Sequence, residues 1–498
     1  MPQEIEPYYS SRVTARRDST PRYSLPWMQL WLACAFPMTL IAIVGCKQPP
    51  THVSPNMLLI VVDTLRADSL SYAGYLQPTS PNLDAFGKTG TVFRNAFTVG
   101  SNTTTSMAAL MTGRFPFYLD KDPGCSSDDC AVPWNESTWF GMQRFRSQPG
   151  IGLPDEIATL AEILQSGGYT TAGVVTNPYL KERYHFDRGF DNYQERITKS
   201  CPMVNEAAEA WMRNDQQQPF FLFLHYLDPH APYLPPARFR EVLEFERSPF
   251  ADTALFAGAV IAKEALKHRS NSLEAHVRGL YDAEVRHVDE CIGQVIDILK
   301  RQPYYDDMVI VFLSDHGEEF FEHGQTGHLG RFYDEHIRVP LIVRAPEGKS
   351  GEIDTLVRNF DVMPTLLDYA GIPLPDGMDA VSLRPLVERR VTSLDLAVFA
   401  NFPFPATRRM YRTGRYKLMV DTSSAEATEF YDLLQDPAET RNLYSDPSKH
   451  RREELAQLLG ALVGKLENEE TRTKGVNKDL LGIDPETAGQ LRSLGYLD

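Results

Sequence analysis

The sequence predicts an α/β fold: a doubly wound, mostly parallel sheet flanked by helices, with a smaller C-terminal subdomain on an antiparallel sheet. Three observations predict it. Continuous apolar runs at 57–63, 220–226 and 308–314 suit strands buried on both faces, as parallel strands are. Helix-periodic stretches separate these runs, and strand-helix alternation implies crossover connections. Beyond residue 390 the pattern changes to short strand-like runs set close together.

The elements follow in order. Residues 47–56 form a polar, Pro-containing tether. The run 57–63 is a strand ending in Asp63. Residues 80–88 open with Ser80-Pro81-Asn82-Leu83-Asp84, a capped helix start. Residues 154–168 space apolar side chains helically and stop at Gly167-Gly168, and 169–175 is a strand. A helix at 204–214 precedes the strand 220–226. Residues 257–300 are long, charged and helix-periodic, and the strand 308–314 follows. Val339-Pro340-Leu341-Ile342-Val343 is a further strand, and a helix runs from near Val362 to Gly371. Residues 376–390 connect to strand-like runs at 397–401, 411–420 and 429–432, then a helix at 450–468. The expected division is a leader at 1–46, a tether at 47–56, a catalytic domain at 57–375 and a C-terminal subdomain at 376–498. There is no internal repeat.

Composition narrows the function. A hydrophobic content of 42% and a charged content of 23% are those of an ordinary globular protein. The formal net charge of -16 lacks the basic footprint that nucleic-acid binding requires. An anionic substrate must then be attracted by a metal and by local cations rather than by the global field.

The first 26 residues are polar and contain Arg12, Arg16, Arg17 and Arg22. Residues 27–45 are mostly apolar and end Ile43-Val44-Gly45 before Cys46, which resembles a bacterial lipoprotein signal with Cys46 as the lipidated residue. Lys47 in the next position favours the outer membrane. The alternative is an uncleaved transmembrane anchor, although Gln29 and Pro37 weaken a span. Both readings make the protein exported and membrane-tethered, in the periplasm or at the outer membrane. Cys125 and Cys130 share one loop and suit a disulfide in an oxidising compartment. No second close pair follows to complete a zinc clip. Cys201 and Cys291 read as unpaired, since neither has a partner nearby in sequence.

Open α/β sheets place their sites at the carboxyl ends of strands. Asp63 and Asp315-His316 stand at two such ends, and carboxylate with imidazole suits Ca, Mn, Zn or Mg. Thr103 precedes the helix-forming run 107–111, where a hydroxyl would face an anion at a helix N-terminus. On this segment alone, capping by Thr103 to Ser106 is the simpler account.

Taken together, the motifs resemble the sulfatase branch of the alkaline phosphatase superfamily. Met107-Ala108-Ala109-Leu110-Met111-Thr112-Gly113-Arg114 is similar to the end of its nucleophile motif, which puts Ser106 on the motif serine, Thr105 on the proline and Thr103 on the nucleophile. Asp63-Thr64-Leu65-Arg66-Ala67-Asp68 and Ser314-Asp315-His316-Gly317-Glu318 resemble its two metal motifs. His225, Asp228-Pro229-His230 and Pro232 resemble its substrate-histidine segment, and Gly327-His328 with Arg338-Val339-Pro340-Leu341 fits the block that follows. Arg415-Tyr416-Lys417-Leu418, Tyr431-Asp432-Leu433, Asp436-Pro437 and Asn442-Leu443 resemble the C-terminal subdomain. The likeness runs from about residue 55 to the end.

The departures shape the expected chemistry. Family sulfatases oxidise a cysteine or serine to formylglycine. Thr103 cannot become that aldehyde because its Cβ carries a methyl group, so no formylglycine is expected. Met107 replaces the motif arginine, and Thr176-Asn177-Pro178 replaces a segment that usually carries lysine and histidine. The set Asp63, Thr103, Asp315 and His316 looks more like the superfamily's threonine-nucleophile phosphodiesterases and phospho-headgroup transferases.

The resemblance therefore implies a metal held by Asp63, Thr103, Asp315 and His316, with Thr103 as nucleophile. His230 or His328 would steady the non-bridging oxygens or protonate the leaving group. His225, His230 and His328 are equally compatible with structural roles, and Asp228 with these histidines is a candidate for a second metal. The expected function is an exported, metal-dependent hydrolase of sulfate or phosphate esters, with phosphodiesters preferred. Its substrate would be an anionic small molecule, glycan or lipid headgroup. The alternatives are a true sulfatase, a phospho-headgroup transferase and an inactive binding module.

Overall fold

The computed structural model describes residues 54–115, 153, 157–196, 199–214, 218–243, 270–328, 330–401, 408–421, 427–444 and 449–472. The leader, Cys46, most of the tether, Cys125 and Cys130 lie outside these residues. Among the described residues, no helix is long and apolar enough to cross a membrane.

The strands of the main sheet are β1 (Met57–Val62), β2 (Thr91–Phe97), β3 (Thr170–Val175), β4 (Asn192–Glu195), β5 (Phe220–Tyr226), β6 (Val309–Ser314), β9 (Arg338–Arg344) and β10 (Gly351–Arg358). A small hairpin, β7 (Glu319–Phe320) with β8 (Thr326–Gly327), lies between β6 and β9 in sequence. The spatial order is β10-β2-β9-β6-β1-β5-β3-β4. Every pairing is parallel except those of β9, which runs antiparallel to β2 and β6. Only a short helix, Asp334–Ile337, separates the hairpin from β9. No long crossover helix carries the chain back over the sheet there, so β9 returns antiparallel beside β6.

Among the described residues, the helices of seven residues or more are α1 (Pro81–Gly87), α2 (Thr103–Thr112), α3 (Leu160–Ser166), α4 (Cys201–Met212), α5 (Asn271–Lys300), α6 (Val362–Ala370) and α7 (Lys449–Arg472). The alternation of β1 sorts them into two layers. Leu58, Ile60 and Val62 join a core with residues of α1, α4 and α5. Met57, Leu59 and Val61 join a second core with α2, α3 and α6. Successive strand residues point to opposite faces, so an all-apolar strand serves both cores.

A second sheet runs β11 (Val398–Asn401), β12 (Arg408–Arg412), β13 (Tyr416–Asp421) and β14 (Glu429–Asp432), in that order and antiparallel throughout. Its Met410, Leu418 and Phe430 share a core with Phe97, Phe115 and Phe360 from the segments around the main sheet.

Several expectations need correction. The run 411–420 is two strands: Thr413 N donates to Tyr416 O at 2.9 Å and turns the chain between them. Arg412-Thr413-Gly414-Arg415 carries no apolar side chain, so the break was written in the sequence as a Gly-containing turn and was passed over. Strands β2, β4 and β10 were not anticipated. Arg94 and Asn95 interrupt β2 where its register with both neighbours shifts, and β4 and β10 are edge strands with exposed positions. Cys201 and Cys291 form a disulfide, S–S 2.04 Å, across 90 residues. The packing of α4 on α5 brings them together, and sequence distance carries no information about that.

Candidate active site

The site forms where β1 and β6 end side by side. Val62 pairs with Ser314 in parallel register, so the next residues, Asp63 and Asp315, emerge together at the same edge. The loop after β1 is braced: Thr64 N donates to Asp315 Oδ1 at 3.2 Å, and Leu65 N to Ser314 Oγ at 3.0 Å. The Tyr281 hydroxyl on α5 donates to Thr64 O at 2.8 Å and accepts from Arg66 N at 2.9 Å. Thr64 has φ 55°, a left-handed conformation that a β-branched residue adopts only where its surroundings impose it.

Thr103 occupies the first turn of α2. The helix is capped by Asn102, whose side chain accepts from Thr105 N at 2.9 Å. That leaves the Thr103 hydroxyl for other partners. Its Oγ1 lies 3.4 Å from Asp63 Oδ2 and 3.4 Å from His316 Nε2. Ser106, one turn on, ties the helix to the strand end by donating to Asp315 O at 2.7 Å.

Two residues that the expected ligand set omitted join this group. Asn177, just past β3, donates from Nδ2 to Asp63 Oδ2 at 2.6 Å and to Thr103 Oγ1 at 3.3 Å. His225, near the end of β5, brings Nε2 to 3.7 Å from Asp63 Oδ2. Both obey the same strand-end rule that singled out Asp63 and Asp315.

The ring orientations point the lone pairs inward. His316 Nδ1 lies 3.0 Å from Gly317 O, which needs a proton on Nδ1 and leaves Nε2 bare. That Nε2 is 3.4 Å from Asp315 Oδ2 and 3.8 Å from Asp63 Oδ1. Thr176 Oγ1 donates to His225 O at 2.9 Å and so accepts from His225 Nδ1 at 3.3 Å, which bares His225 Nε2. Asp63 Oδ1, Asp315 Oδ2 and His225 Nε2 have no hydrogen-bond partner although fully buried. The ligand atoms of Asp63, His225 and Asp315 all lie within 4.8 Å of one another.

Acceptors facing acceptors in a buried space need a proton or a cation between them. No lysine or arginine among the described residues forms an ion pair or hydrogen bond with either carboxylate. Burial, then the neighbouring Asp315, pushes Asp63 up to about 8, and burial pushes Asp315 up to about 7. Burial lowers His316 to about 4 and His225 to about 3, so both are neutral imidazoles. Two carboxylates and two neutral imidazoles are a donor set that could hold a divalent metal.

His230 and His328 stand beside this group. Their rings are 5.0 Å apart, and His328 is 4.6 Å from the His316 ring. His328 Nδ1 faces the buried Glu318 Oε2 at 3.6 Å, and His230 Nδ1 lies 2.6 Å from Ala231 O. Burial holds both below the ordinary histidine range. Asp228 does not complete a second site with these histidines: its near neighbour is His287 on α5, at 4.0 Å.

Comparison with known proteins agrees with this architecture. Residues 55–372 match the Sulfatase family model, and residues 322–467 match the model of the C-terminal part of N-sulphoglucosamine sulphohydrolase. The chain is 26% identical to an arylsulfatase of Clostridium perfringens over 88% of its length and all of that protein. It is 26% identical to PehA of Trinickia caryophylli, a multifunctional alkaline phosphatase superfamily protein, over 79% of this chain and 92% of that one. In fold it is similar to the phosphonate monoester hydrolase of Agrobacterium radiobacter, with a TM-score of 0.63 at 21% identity over 84% of this chain and 95% of the other.

Proposed function

Because the chain belongs to the sulfatase family of the alkaline phosphatase superfamily, we propose that it is a metal-dependent hydrolase of anionic esters that works through Thr103 and prefers phosphodiesters to sulfate esters. One observation carries this reading. Thr103 Oγ1 lies 3.4 Å from both Asp63 Oδ2 and His316 Nε2, on a helix whose capping is left to Asn102.

Asp63, Asp315, His316 and His225 would hold the ion, with Thr103 beside it. When bound, a divalent metal lowers the pKa of a coordinated alcohol and stabilises charge on the ester oxygens. Oγ1 bonds to phosphorus as the bond to the leaving oxygen breaks, and the proton that Thr103 gives up ends on the leaving alcohol. Asn177 orients Thr103 through its amide. His230 and His328 are neutral, so each meets the anion as an N–H donor to non-bridging oxygens rather than as a cationic acid. Water then cleaves the phosphothreonine, restores the Thr103 hydroxyl and releases a phosphomonoester.

The preference for phosphorus rests on Thr103, which cannot form the hemiacetal chemistry of formylglycine, and on Met107 and Asn177 at positions where sulfatases carry cations. The arylsulfatase and phosphonate hydrolase among the similar proteins support an anionic ester, whether small molecule, glycan or lipid headgroup. The Cys201–Cys291 disulfide supports export, since such bonds persist in oxidising compartments. The N-terminal lipoprotein or anchor pattern supports membrane tethering.

The test compares initial rates on an aryl phosphodiester and an aryl sulfate, with Mn, Zn, Mg or Ca, in wild type and Thr103→Ala. Faster diester cleavage is expected, lost in the variant, with a phosphothreonine adduct trapped on the Thr103 peptide. Faster sulfate cleavage would make the protein a true sulfatase. Full turnover by Thr103→Ala would remove threonine from the mechanism.

A further inference from the structure

A second buried group of metal-ligating side chains takes no part in the proposed reaction. Asp228, Glu284 and His287 each offer a ligand atom within 4.8 Å of the others. Asp228 lies just after β5. Glu284 and His287 are three residues apart on α5, so they share one face of the helix. Their relative exposures are 3%, 1% and 8%.

The interior of this group is unsatisfied. Asp228 Oδ2 and His287 Nδ1 have no hydrogen-bond partner. The approach of His287 Nδ1 to Asp228 Oδ1 is 4.0 Å, too long for a hydrogen bond. A buried histidine-carboxylate pair retained for its own sake would close that gap, because each unpaired atom has lost its hydrogen bond to water and gained none in return. Two ligands each about 2.0–2.2 Å from a tetrahedral ion stand about 3.3–3.6 Å apart, so an ion between these groups would need to draw them together by only about half an ångström.

The charge also fits. Glu284 Oε1 accepts from Lys199 Nζ at 2.6 Å and from Leu234 N at 2.6 Å, and Oε2 takes neither bond. Lys199 offsets one carboxylate and leaves the other facing the unpartnered His287 Nδ1. Cys201 and Cys291 also come within reach of His287. Joined as a disulfide, they are not thiolate ligands, and the donor set is nitrogen and oxygen.

We propose that Asp228, Glu284 and His287 form a second divalent-cation site of the zinc or manganese class, distinct from the Thr103 centre. Asp228 is two residues before His230, so an ion there would anchor the turn that presents His230 to the substrate. His230 N also donates to Leu227 O at 2.8 Å across this turn.

The full chain, with the disulfide intact, is dialysed against zinc and its metal content is measured by mass spectrometry. Two ions per chain are expected in wild type. Asp228→Asn and His287→Gln should each hold one, and so should Asp63→Asn, which keeps only the second site. Zinc should raise the Tm of Asp63→Asn and leave the Tm of Asp63→Asn/His287→Gln unchanged. If His287→Gln does not fold, Glu284→Gln provides the same comparison. A single ion in wild type that survives Asp228→Asn overturns the assignment, as does a second ion that binds only after reduction and is lost in Cys291→Ser.

Discussion

Two buried clusters of charged side chains in this protein follow opposite rules. Around Lys417, which is fully buried on β13, cations and carboxylates are matched. Lys417 Nζ reaches Asp334 Oδ1 at 2.6 Å and Glu439 Oε1 at 2.7 Å, while Arg412 grips Asp334 through Nε and Nη2 at 3.3 and 3.2 Å. Burial works against the Asp334 charge, but Lys417 and Arg412 hold its carboxyl below the usual range. Burial pushes Glu439 up to about 7 even with Lys417 pulling it down. At the ends of β1 and β6, Asp63 and Asp315 meet only neutral imidazoles, an amide, a hydroxyl and backbone N–H groups. The matched cluster acts as a fastener between β13 and the segment before β9. The unmatched one gathers two carboxylates with no cationic side chain against them, and it is the one beside Thr103.

The largest expected effect is on activity alone. Thr103→Ala should reduce diester turnover by on the order of 10⁴-fold or more, as loss of a nucleophile does, while the urea midpoint barely moves. If stability and activity fell together, Thr103 would belong with the fasteners. The converse variant is Lys417→Met, which leaves two buried carboxylates facing Arg412 alone. It should destabilise by about 3–5 kcal/mol in urea titration, with turnover per folded molecule within a few-fold of wild type. A neutral result would show that the cluster contributes little and that the contrast is not energetic.

An intermediate effect is expected at Asn177, whose amide is the 2.6 Å donor to Asp63. Orienting partners of metal ligands are typically worth about 10–100-fold in metal affinity or activity. Asn177→Ala should therefore shift the metal concentration for half-maximal rate upward by that range, with kcat at saturating metal affected less. An unchanged metal dependence would assign Asn177 to Thr103 and not to Asp63.

How much of this was legible follows from where the information lies. Strands β1, β5 and β6 are apolar along almost their whole length, and a strand buried on both faces leaves that signature in one stretch of sequence. Asp63, Asp315 and His316 were readable because they follow such runs directly. Thr103 was readable only by the motif around it, since a threonine before a helix is ordinarily a cap and Asn102 cannot be distinguished from it by pattern. Asn177 and His225 also sit at strand ends, and applying the strand-end rule to β3 and β5 would have drawn both in. The pairing of Val61 with His225 is a matter of sheet order, which the sequence does not display. The Cys201–Cys291 bond and the meeting of Asp228 with His287 depend on helix packing across distant segments. Nothing local encodes them.

The smallest expected effect tests the unmatched cluster through its protons. Without metal, Asp63 and Asp315 are pushed up to about 8 and about 7, against about 3.9 for an unfolded aspartate. Between about pH 4 and pH 8 the folded protein therefore binds more protons than the unfolded chain, and stability falls as pH rises through that window. A divalent ion replaces those protons, and it displaces fewer of them as pH rises, so its stabilisation grows with pH. The Tm of chelator-treated protein should fall by on the order of a few degrees between pH 5 and pH 8 relative to an Asp63→Asn/Asp315→Asn chain. The gap between metal-loaded and metal-free wild type should widen over the same range. Asp334, held low by its cations, adds no slope in this window: its contribution is intact above the unfolded pKa and is lost only as pH falls below it, while Glu439, pushed up to about 7, is common to both chains and cancels in the comparison. A metal-free Tm that rose from pH 5 to pH 8 relative to the double variant would mean that Asp63 and Asp315 are already matched by groups of the protein, and the distinction between the two clusters would collapse.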